Sequence, residues 1–370
     1  MGKLEQLIND LCPQGVIFRT IGEIAQVGTG SSNGNEAEEH GQYPFFIRSQ
    51  TVKTKNTYEY DEEAIIIPGE GGIGDIYHYV NGKYALHQRV YRIHFTTDAI
   101  NVRFAYYYLC SFFKKFIMRK AVSATVTSIR KPMIEGYPIP LPPLPVQQEI
   151  VRILDNFTEL TAELTAELTA RKKQYEYYRN NLLALGDDVP IGTLGTVAKN
   201  LDSKRKPVTK GKRESGKFPY YGASGIVDYV SDYIFDGDYL LVSEDGANLV
   251  ARVTPIAFSA SGKIWVNNHA HVLQFGTYVE RKYVEYYLNM IDLSRFISTA
   301  AQPKLTQDNL NKIPVPIPSF KQQERIVAIL DRFDALCNDL TSGLPAEIEA
   351  RRKQYEYYRD KLLTFKEKSA

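Results

Sequence analysis

Two clusters of basic side chains are the clearest chemical feature of the sequence. Seven Lys and Arg residues and no acidic residue lie between Arg103 and Lys131, and eight against two acids lie between Lys199 and Lys217. Such clusters are typical of surfaces that bind phosphate groups. A charged stretch is more often only a solvated face, so the clusters favour nucleic-acid binding mainly because each half of the chain has one.

Residues suited to catalysis or metal binding are few. Glu70 and the pair Glu244–Asp245 are candidates for catalytic carboxylates, although acids in a loop before a glycine are the favoured interpretation. His269 and His271 lack a suitably spaced third ligand, which favours structural histidines over a metal site. The sequence also lacks a P-loop, a dinucleotide-binding fingerprint, a G-x-S-x-G motif and the Pro-Pro-aromatic motif of amino-methyltransferases. We therefore expect a non-catalytic chain with no metal or cofactor of its own.

The composition of the 370 residues, with 44% hydrophobic residues and a formal net charge of +2, is that of packed domains. No apolar run approaches the roughly 18 residues that a membrane span needs. The three cysteines are far apart and form no C-x-x-C pair, which argues against a disulfide framework or a cysteine-rich zinc site. These features predict a cytoplasmic protein, and the small net charge alone gives no sign of a nucleic-acid partner.

The chain repeats itself, and the repeat is uneven. The segment IPLPPLPVQQEIVRILDNF from Ile139 matches VPIPSFKQQERIVAILDRF 176 residues later, and RKKQYEYYRNNLL from Arg171 matches RRKQYEYYRDKLL 180 residues later. The stretches 26–120 and 199–300 share only scattered positions. A tandem duplication explains the matches. We interpret the divergent stretches as two modules of one fold that face different targets, and drift in a duplicated scaffold is the alternative.

The matched segments predict two long helices. Across 150–185, apolar and aromatic residues recur at steps of four and three, which is a heptad stripe, and prolines precede the predicted helix at 146–185. The second stripe begins at Ile326 and is interrupted at 342–345, where we expect a kink or a new start. Because a long stripe needs a partner, we expect the two helices to pack antiparallel within the chain, with an intermolecular coiled coil as the alternative.

These motifs resemble the specificity subunits of type I restriction–modification systems, and most of all the subgroup with TAEL-type spacers. The resemblance covers essentially the whole chain and rests on the proline-rich segments that end in Q-Q-E, the QYEYYR tails, the TAEL repeats and the opening LEQLINDLCPQGVIFRTIGEIA. It implies an α+β fold in which two similar globular α/β target recognition domains are separated by two long antiparallel helices with pseudo-two-fold symmetry. The implied domains are an N-terminal segment that completes the rod (1–14), target recognition domain 1 (15–145), a central spacer helix (146–186), target recognition domain 2 (187–318) and a C-terminal spacer helix (319–370).

The resemblance also implies a function. Each recognition domain would read one half of a bipartite site in double-stranded DNA, and the helices would dock two modification (methyltransferase) subunits that restriction (translocase/nuclease) subunits join. S-adenosylmethionine, ATP and Mg would be bound by those partners, which would methylate adenine and cleave DNA, and no membrane would be involved. The residues alone leave two alternatives. One is a structural adaptor whose modules bind no DNA, and the other is an enzyme that acts through Glu70 and Glu244.

Candidates for DNA contacts follow from side-chain chemistry, because Arg, Lys, Gln, Ser and Thr donate hydrogen bonds to phosphates and base edges. In the first divergent module they are Arg48, Ser49, Gln50, Lys53, Lys55, Gln88, Arg89, Thr125, Thr127, Ser128, Arg130 and Lys131. In the second they are Lys204, Arg205, Lys206, Lys210, Lys212, Arg213, Tyr220, Tyr221, Ser224, Arg252, Lys263, Gln302 and Lys304. A surface polar residue without a binding role is the alternative for each.

Overall fold

A computed structural model describes residues 2–120, 128–186, 188–298, 302–339 and 341–368. The chain divides into two units, which we call the first unit (Met1–Leu164 with Ile348–Ala370) and the second unit (Thr165–Glu347). Each unit contains one of the two divergent stretches of the sequence. Across the described residues, no helix is both long and apolar enough to cross a bilayer.

In the first unit, the sheet is built around a central strand that is buried on both faces. Ala64, Ile65, Ile66 and Ile67 are fully buried, with alternate residues in two separate cores, which explains their continuous apolar run. The elements before the long central helix are α1 (Lys3–Leu11), β1 (Ile17–Thr20), α2 (Ile21–Ile24), β2 (Ala25–Thr29), β3 (Tyr43–Phe46), β4 (Lys53–Lys55), β5 (Tyr60–Pro68), β6 (His78–Leu86), β7 (Val90–Phe95), α3 (Val102–Lys120), α4 (Lys131–Glu135) and β8 (Pro138–Leu141).

The described strands of this unit form a six-stranded sheet in the order β2-β7-β5-β6-β3-β4. Its neighbouring strands are antiparallel, except that β3 runs parallel to β6. The short strands β1 and β8 pair separately. We call this sheet with its covering helices the first module.

The second unit has the same strand arrangement. The remaining elements of the chain are α5 (Leu144–Leu183), β9 (Ile191–Thr193), α6 (Leu194–Val197), β10 (Lys199–Asn200), β11 (Ser215–Gly222), β12 (Gly225–Val230), β13 (Phe235–Ser243), α7 (Asn248–Ala251), β14 (Ala257–Val266), β15 (Ala270–Gln274), α8 (Tyr278–Met290), α9 (Gln307–Asn311), β16 (Pro314–Pro316), α10 (Phe320–Asn338) and α11 (Leu344–Leu362). Six described strands follow the order β10-β15-β13-β14-β11-β12, again with one parallel pair, β11 and β14. The divergent stretches therefore form one topology twice, and we call this sheet with its covering helices the second module.

The long helix α5 uses the predicted stripe for packing within each unit. In the first unit, the ring of Phe157 lies 6.3 Å from that of Tyr355 and 5.9 Å from that of Tyr358 on α11. In the second unit, Tyr178 of α5 stacks at 5.4 Å on Phe333 of α10. Intramolecular pairing is thus confirmed, and so is the expected fold class of two sheet domains with long antiparallel helices.

The predicted C-terminal helix at 319–370 is two helices, α10 and α11. The carboxylate of Asp339 follows α10 and accepts hydrogen bonds from Ser342 Oγ at 2.5 Å and from Thr341 Oγ1 at 2.6 Å. These bonds lower the pKa of Asp339 and hold the chain in a turn. Pro345 then lies in the first turn of α11, where its missing N–H is not needed.

An aspartate of each long helix anchors the helix of its module. In the first unit, Asp155 Oδ1 accepts hydrogen bonds from Arg103 Nη2 at 2.6 Å and from the Tyr107 hydroxyl at 2.5 Å, both on α3. In the second unit, Asp331 accepts hydrogen bonds from the hydroxyls of Tyr278 at 2.8 Å and Tyr286 at 2.6 Å on α8. Equivalent carboxylates therefore fix each module to the long helix of its own unit.

The repeated Q-Q-E segment has a matching role at the start of α5 and α10. The side-chain amide of Gln147 is buried and donates to the carbonyl of Pro142 at 2.6 Å. Gln323, also buried, donates to the carbonyl of Pro318 at 3.0 Å. Because proline-rich linkers leave carbonyl groups unpaired, a buried amide that satisfies them stabilises the change from extended chain to helix.

Candidate nucleic-acid interface

In the first module, two arginines and a glutamate form an exposed ion cluster. Arg48 follows β3, Glu70 follows β5, and Arg89 lies in the turn between β6 and β7. Glu70 Oε2 accepts hydrogen bonds from Arg48 Nη1 at 3.1 Å and from Arg89 Nη1 at 2.8 Å. The side chains of Arg48, Glu70 and Arg89 are 46%, 37% and 58% exposed. The hydrogen bond from Arg89 and the charges of both arginines lower the pKa of Glu70, so the carboxylate is ionised.

A glycine-rich loop shapes the backbone around this cluster. Gly71 and Gly72 have φ angles of 74° and 62°, which glycine adopts without strain. The N–H of Gly69 donates to the carbonyl of Arg89 at 3.0 Å, and the N–H of Ile129 donates to the carbonyl of Gly69 at 2.8 Å. The loop is therefore held between the turn that carries Arg89 and Ile129, the neighbour of the predicted contact residue Ser128.

The cluster borders a small cavity. Its volume is about 280 Å³, and its lining includes Arg48, Ser49, Glu70, Gly71 and His87. Burial, followed by the charges of Arg48 and Arg89, lowers the pKa of His87, and its Nδ1 accepts a hydrogen bond from the backbone N–H of Arg89. The ring is therefore neutral near pH 7. We call Arg48, Glu70, His87 and Arg89 the arginine corner.

Other predicted contacts of the first module have internal partners. Lys55 is 14% exposed and donates to Glu36 at 2.5 Å and to Ser32 Oγ at 2.8 Å. The side chain of Gln88 donates to Asn33 at 2.7 Å. Both side chains stabilise the loops around the arginine corner. Either one would have to break its hydrogen bonds to Ser32, Glu36 or Asn33 before it could contact DNA.

The remaining candidates of this module lie mostly at the surface. Lys131 is exposed and pairs with Glu135 at 3.4 Å, and Ser49 Oγ donates to the carbonyl of Thr51 at 2.8 Å. Thr125 and Thr127 lie outside the described residues. Further candidates that are exposed are Gln50, Lys53 and Arg130.

In the second module, the equivalent position after the central strand β13 holds a buried ion network. Glu244 Oε2 accepts a hydrogen bond from Arg205 Nη1 at 2.6 Å, and Glu244 Oε1 lies 3.1 Å from Lys304 Nζ. Asp202 Oδ2 lies 2.6 Å from His271 Nδ1 and 3.3 Å from Arg205 Nη2. The side chains of Asp202, Glu244, His271 and Arg205 are all at most 12% exposed.

This network contains the residues that best match a metal site. Donor atoms of Asp202, Glu244 and His271 lie within 4.8 Å of one another. However, both ring nitrogens of His271 already have partners, since Nδ1 lies 2.6 Å from Asp202 Oδ2 and Nε2 lies 2.8 Å from the carbonyl oxygen of Leu305. With Arg205 also present, the carboxylates already have cationic partners. The arrangement fits a structural histidine, as the sequence favoured for the H-x-H pair.

The pKa shifts of the two carboxylates agree with this interpretation. Burial alone raises the pKa of Asp202, but hydrogen bonds from His271 and Val272 and the nearby positive charges lower it overall. Burial likewise raises the pKa of Glu244, and the hydrogen bond from Arg205 and the charge of His271 outweigh it. Both carboxylates are therefore kept ionised inside the protein, which is costly unless their cationic partners stay in place.

Three predicted DNA contacts of the second module have partners inside the module. Arg205 belongs to the buried network. Tyr220 is 1% exposed, and its hydroxyl oxygen accepts a hydrogen bond from the N–H of Val208. Arg252 donates to the carbonyls of Leu288 and Ile291 at the end of α8. A basic cluster in a sequence does not distinguish such buried donors from exposed ones.

An exposed basic surface remains in the second module around Trp265. The indole N–H of Trp265 donates to the carbonyl of Lys206 at 2.6 Å, and the guanidinium of Arg213 lies 4.3 Å from the centre of the Tyr220 ring. A cavity of about 190 Å³ is lined by residues that include Trp265, Arg213 and Lys212. Exposed predicted contacts of this module are Lys204, Lys206, Lys210, Lys212, Ser224, Lys263, Gln302 and Lys304, whereas Arg213 and Tyr221 are half-buried.

Sequence reasoning did not identify the carboxylates that hold neighbouring side chains in place, namely Glu70, Asp155 and Asp331. From the sequence alone, Glu70 is a candidate catalytic or loop acid, and Asp155 and Asp331 are matching positions of the two repeated segments without an assigned partner. The available signal was that Asp155 and Asp331, like Gln147 and Gln323, are identical polar residues at the same offset within apolar helices. A polar residue present in both copies of a packing helix indicates a hydrogen bond that holds neighbouring elements together.

A family model described as the type I restriction modification DNA specificity domain matches residues 13–171 and 187–350. A Haemophilus influenzae protein assigned as a type I restriction enzyme specificity subunit is 33% identical over 356 residues, covering 88% of this chain and 89% of that protein. The EcoprrI specificity subunit of Escherichia coli is 33% identical over 261 residues, covering 66% of this chain and 64% of that protein.

A solved structure shows the same fold. It is the crystal structure of a type I restriction–modification S subunit from M. genitalium, with a TM-score of 0.63 and 18% identity, and the match covers 94% of each chain. At this identity the likeness concerns the fold alone. The match to a whole specificity subunit agrees with the arrangement of two modules and long helices described above.

Proposed function

Since the chain belongs to the family of type I restriction–modification DNA specificity proteins, we propose that it recognises a bipartite site in double-stranded DNA, with one module for each half. The observation that carries this proposal is that one six-stranded topology occurs twice with different exposed polar side chains. Two readers of one fold on a shared rod suit two different half-sites separated by an unread gap. Closer membership in the TAEL-spacer subgroup stays a prediction.

We propose further that two modification subunits dock on the repeated helices. Tyr177 and Tyr357 occupy equivalent places in the QYEYYR segments and are 66% and 64% exposed. Internal packing does not explain exposed aromatic side chains that recur at equal exposure. Two copies of one partner, each recognising one copy of the segment, explain both the repetition and the exposure.

Catalysis is assigned in this proposal to the partner subunits. The modification subunits supply S-adenosylmethionine-dependent adenine methylation, and restriction subunits supply ATP- and Mg-dependent cleavage, in the cytoplasm. Glu70 and Glu244 are poor candidates for catalytic acids or bases in this chain. The paired cations lower the pKa of both carboxylates, whereas general acid–base catalysis near pH 7 needs a raised pKa.

The adaptor hypothesis receives no support from the relatives reported above, which are specificity subunits of restriction enzymes. The test that separates it from DNA recognition is to co-express this chain with its cognate modification subunits and to map methyladenine across a genome. We expect methylation at one bipartite sequence. Random methylation, or none with an assembled complex, would contradict the proposal.

A further inference from the structure

We infer that Glu70 determines specificity by competing with DNA phosphates for Arg48 and Arg89. In this view the carboxylate occupies both guanidinium groups in the free protein, and only DNA that makes further contacts with the first module displaces it. The inference rests on the proposed DNA-binding function and assigns a role to an acidic residue inside the binding surface.

The geometry of the arginine corner supports an exchangeable contact. A single oxygen, Glu70 Oε2, receives one N–H from each arginine, at 3.1 Å and 2.8 Å. Within the described part of the chain, Glu70 is the acidic partner of both guanidinium groups, and about half of each arginine side chain is exposed. Exposed ion pairs of this kind contribute little to folding, so their exchange for another anion is accessible.

A phosphodiester is the natural competitor of this carboxylate. Both groups present oxygen acceptors that guanidinium binds through charge-assisted hydrogen bonds. A phosphate that approaches Arg48 or Arg89 also approaches the negative charge of Glu70, which repels it. A random sequence keeps this repulsion, because Glu70 stays beside the two arginines when only phosphates approach them. On the target sequence, base contacts from neighbours such as Ser49 hold the DNA where both guanidinium groups turn from Glu70 to the DNA, which relieves the repulsion. A repulsive element of this type increases the difference between right and wrong targets.

The equivalent glutamate of the second module, Glu244, has a structural role and serves as a comparison for Glu70. Glu244 also follows the central strand and also meets two basic residues, Arg205 and Lys304. Its side chain is 11% exposed against 37% for Glu70. The carboxylate and both arginines are open to solvent in the first module, whereas Glu244 and Arg205 are nearly buried in the second and only Lys304 is exposed. Exchange is therefore expected for Glu70 rather than for Glu244.

The test is Glu70→Gln in the full-length chain assembled with its modification subunits. We expect binding to a random-sequence duplex to tighten about three- to tenfold, and the dependence of log affinity on log salt to steepen by about one to two. The control is Glu167→Gln, which removes a carboxylate paired with Arg171 on α5 and is expected to change neither value. Unchanged or weaker random binding by Glu70→Gln, with folding intact, overturns the inference.

A second variant keeps the test decisive if Glu70→Gln folds poorly. Arg48→Gln with Arg89→Gln, in the presence of Glu70, is expected to weaken binding to the methylated target sequence by a clearly larger factor than binding to random sequence, because the target alone makes use of both arginines. A parallel loss of both affinities overturns the inference. If the wild-type assembly binds DNA without salt dependence and methylates no defined sequence, the proposed function itself fails, which is a separate result.

Discussion

The two modules have the same sheet topology but differ in the surroundings of one equivalent position. After β5, Glu70 forms an exposed cluster with Arg48 and Arg89, whereas after β13, Glu244 lies in a buried network with Arg205 and His271. A duplicated scaffold has thus kept a carboxylate at the end of its central strand while the surrounding basic residues changed. The same position therefore carries an exposed ion cluster in one module and a buried ion network in the other, and under our proposal only the exposed cluster serves binding.

The largest effect is expected from Asp202→Asn in the buried network. Removing one charge of a buried ion group typically costs about 3–5 kcal/mol, and here it leaves Glu244 as the carboxylate facing both His271 and Arg205. Trp265, the single tryptophan of the chain, lies in the second module and reports its unfolding in urea. Glu70→Gln in the first module is expected to leave this transition unchanged.

The pH dependence of that effect follows from the lowered pKa of Asp202. A lowered pKa in the folded protein means that the carboxylate stabilises the fold above its ordinary value of 3.8, and that this stabilisation is lost as the pH falls through the folded value. The difference between wild type and Asp202→Asn should therefore shrink in acid. Asp245→Asn, which removes a carboxylate paired with the exposed His269, is the matched control. An equal loss from both variants would contradict the distinction between buried network and surface pair.

The next largest effect is expected at the aspartates that both units use to hold the module helix. Asp155→Asn and Asp331→Asn each weaken two hydrogen bonds between rod and module, and we expect each to cost about 1–3 kcal/mol. Hydrogen exchange should show faster exchange in α3 for the first variant and in α8 for the second. Asp334→Asn, one turn along α10 and bonded to Asn338, serves as the control. If neither α3 nor α8 is destabilised, these carboxylates do not hold the module helices against the long helices.

The smallest effect on stability is expected at the rod surface. Tyr177→Ala and Tyr357→Ala remove exposed rings, so each should change the free energy of unfolding by about 0.5 kcal/mol or less. Each is nevertheless expected to lose one modification subunit from the assembly, and the double variant both, as measured by native mass spectrometry. Tyr229→Ala, at an exposed tyrosine of β12, should retain both. Full occupancy in the double variant would remove these residues from the docking surface.

Much of this organisation was predictable because helical periodicity reports directly on packing. The stripe through Ile150, Leu154 and Phe157 predicted the helix and its intramolecular partner, and the interruption before Pro345 predicted the break. The fold of the modules was harder to predict from the sequence, because β5 and β13 occupy equivalent central positions but have few residues in common. Their burial on both faces erases the alternation that would distinguish their surfaces.

The DNA-contact candidates show the limit of sequence reasoning more clearly. Lys206 and Arg205 are neighbours in one basic cluster, yet Lys206 is exposed and Arg205 is enclosed by carboxylates. The difference depends on Asp202 and Glu244, of which Glu244 is distant in the sequence and brought close only by the sheet. Composition identifies which residues are basic, and tertiary structure decides which of them reach a ligand.

The most direct test of two independent readers is to replace residues 15–145 by the corresponding module of a relative and to map methyladenine again. The rod and the second module stay unchanged in this chimaera. We predict that one half of the methylated sequence changes, while the other half and the gap between them stay the same. A change in both halves, or in neither, would contradict the assignment of one module to each half-site.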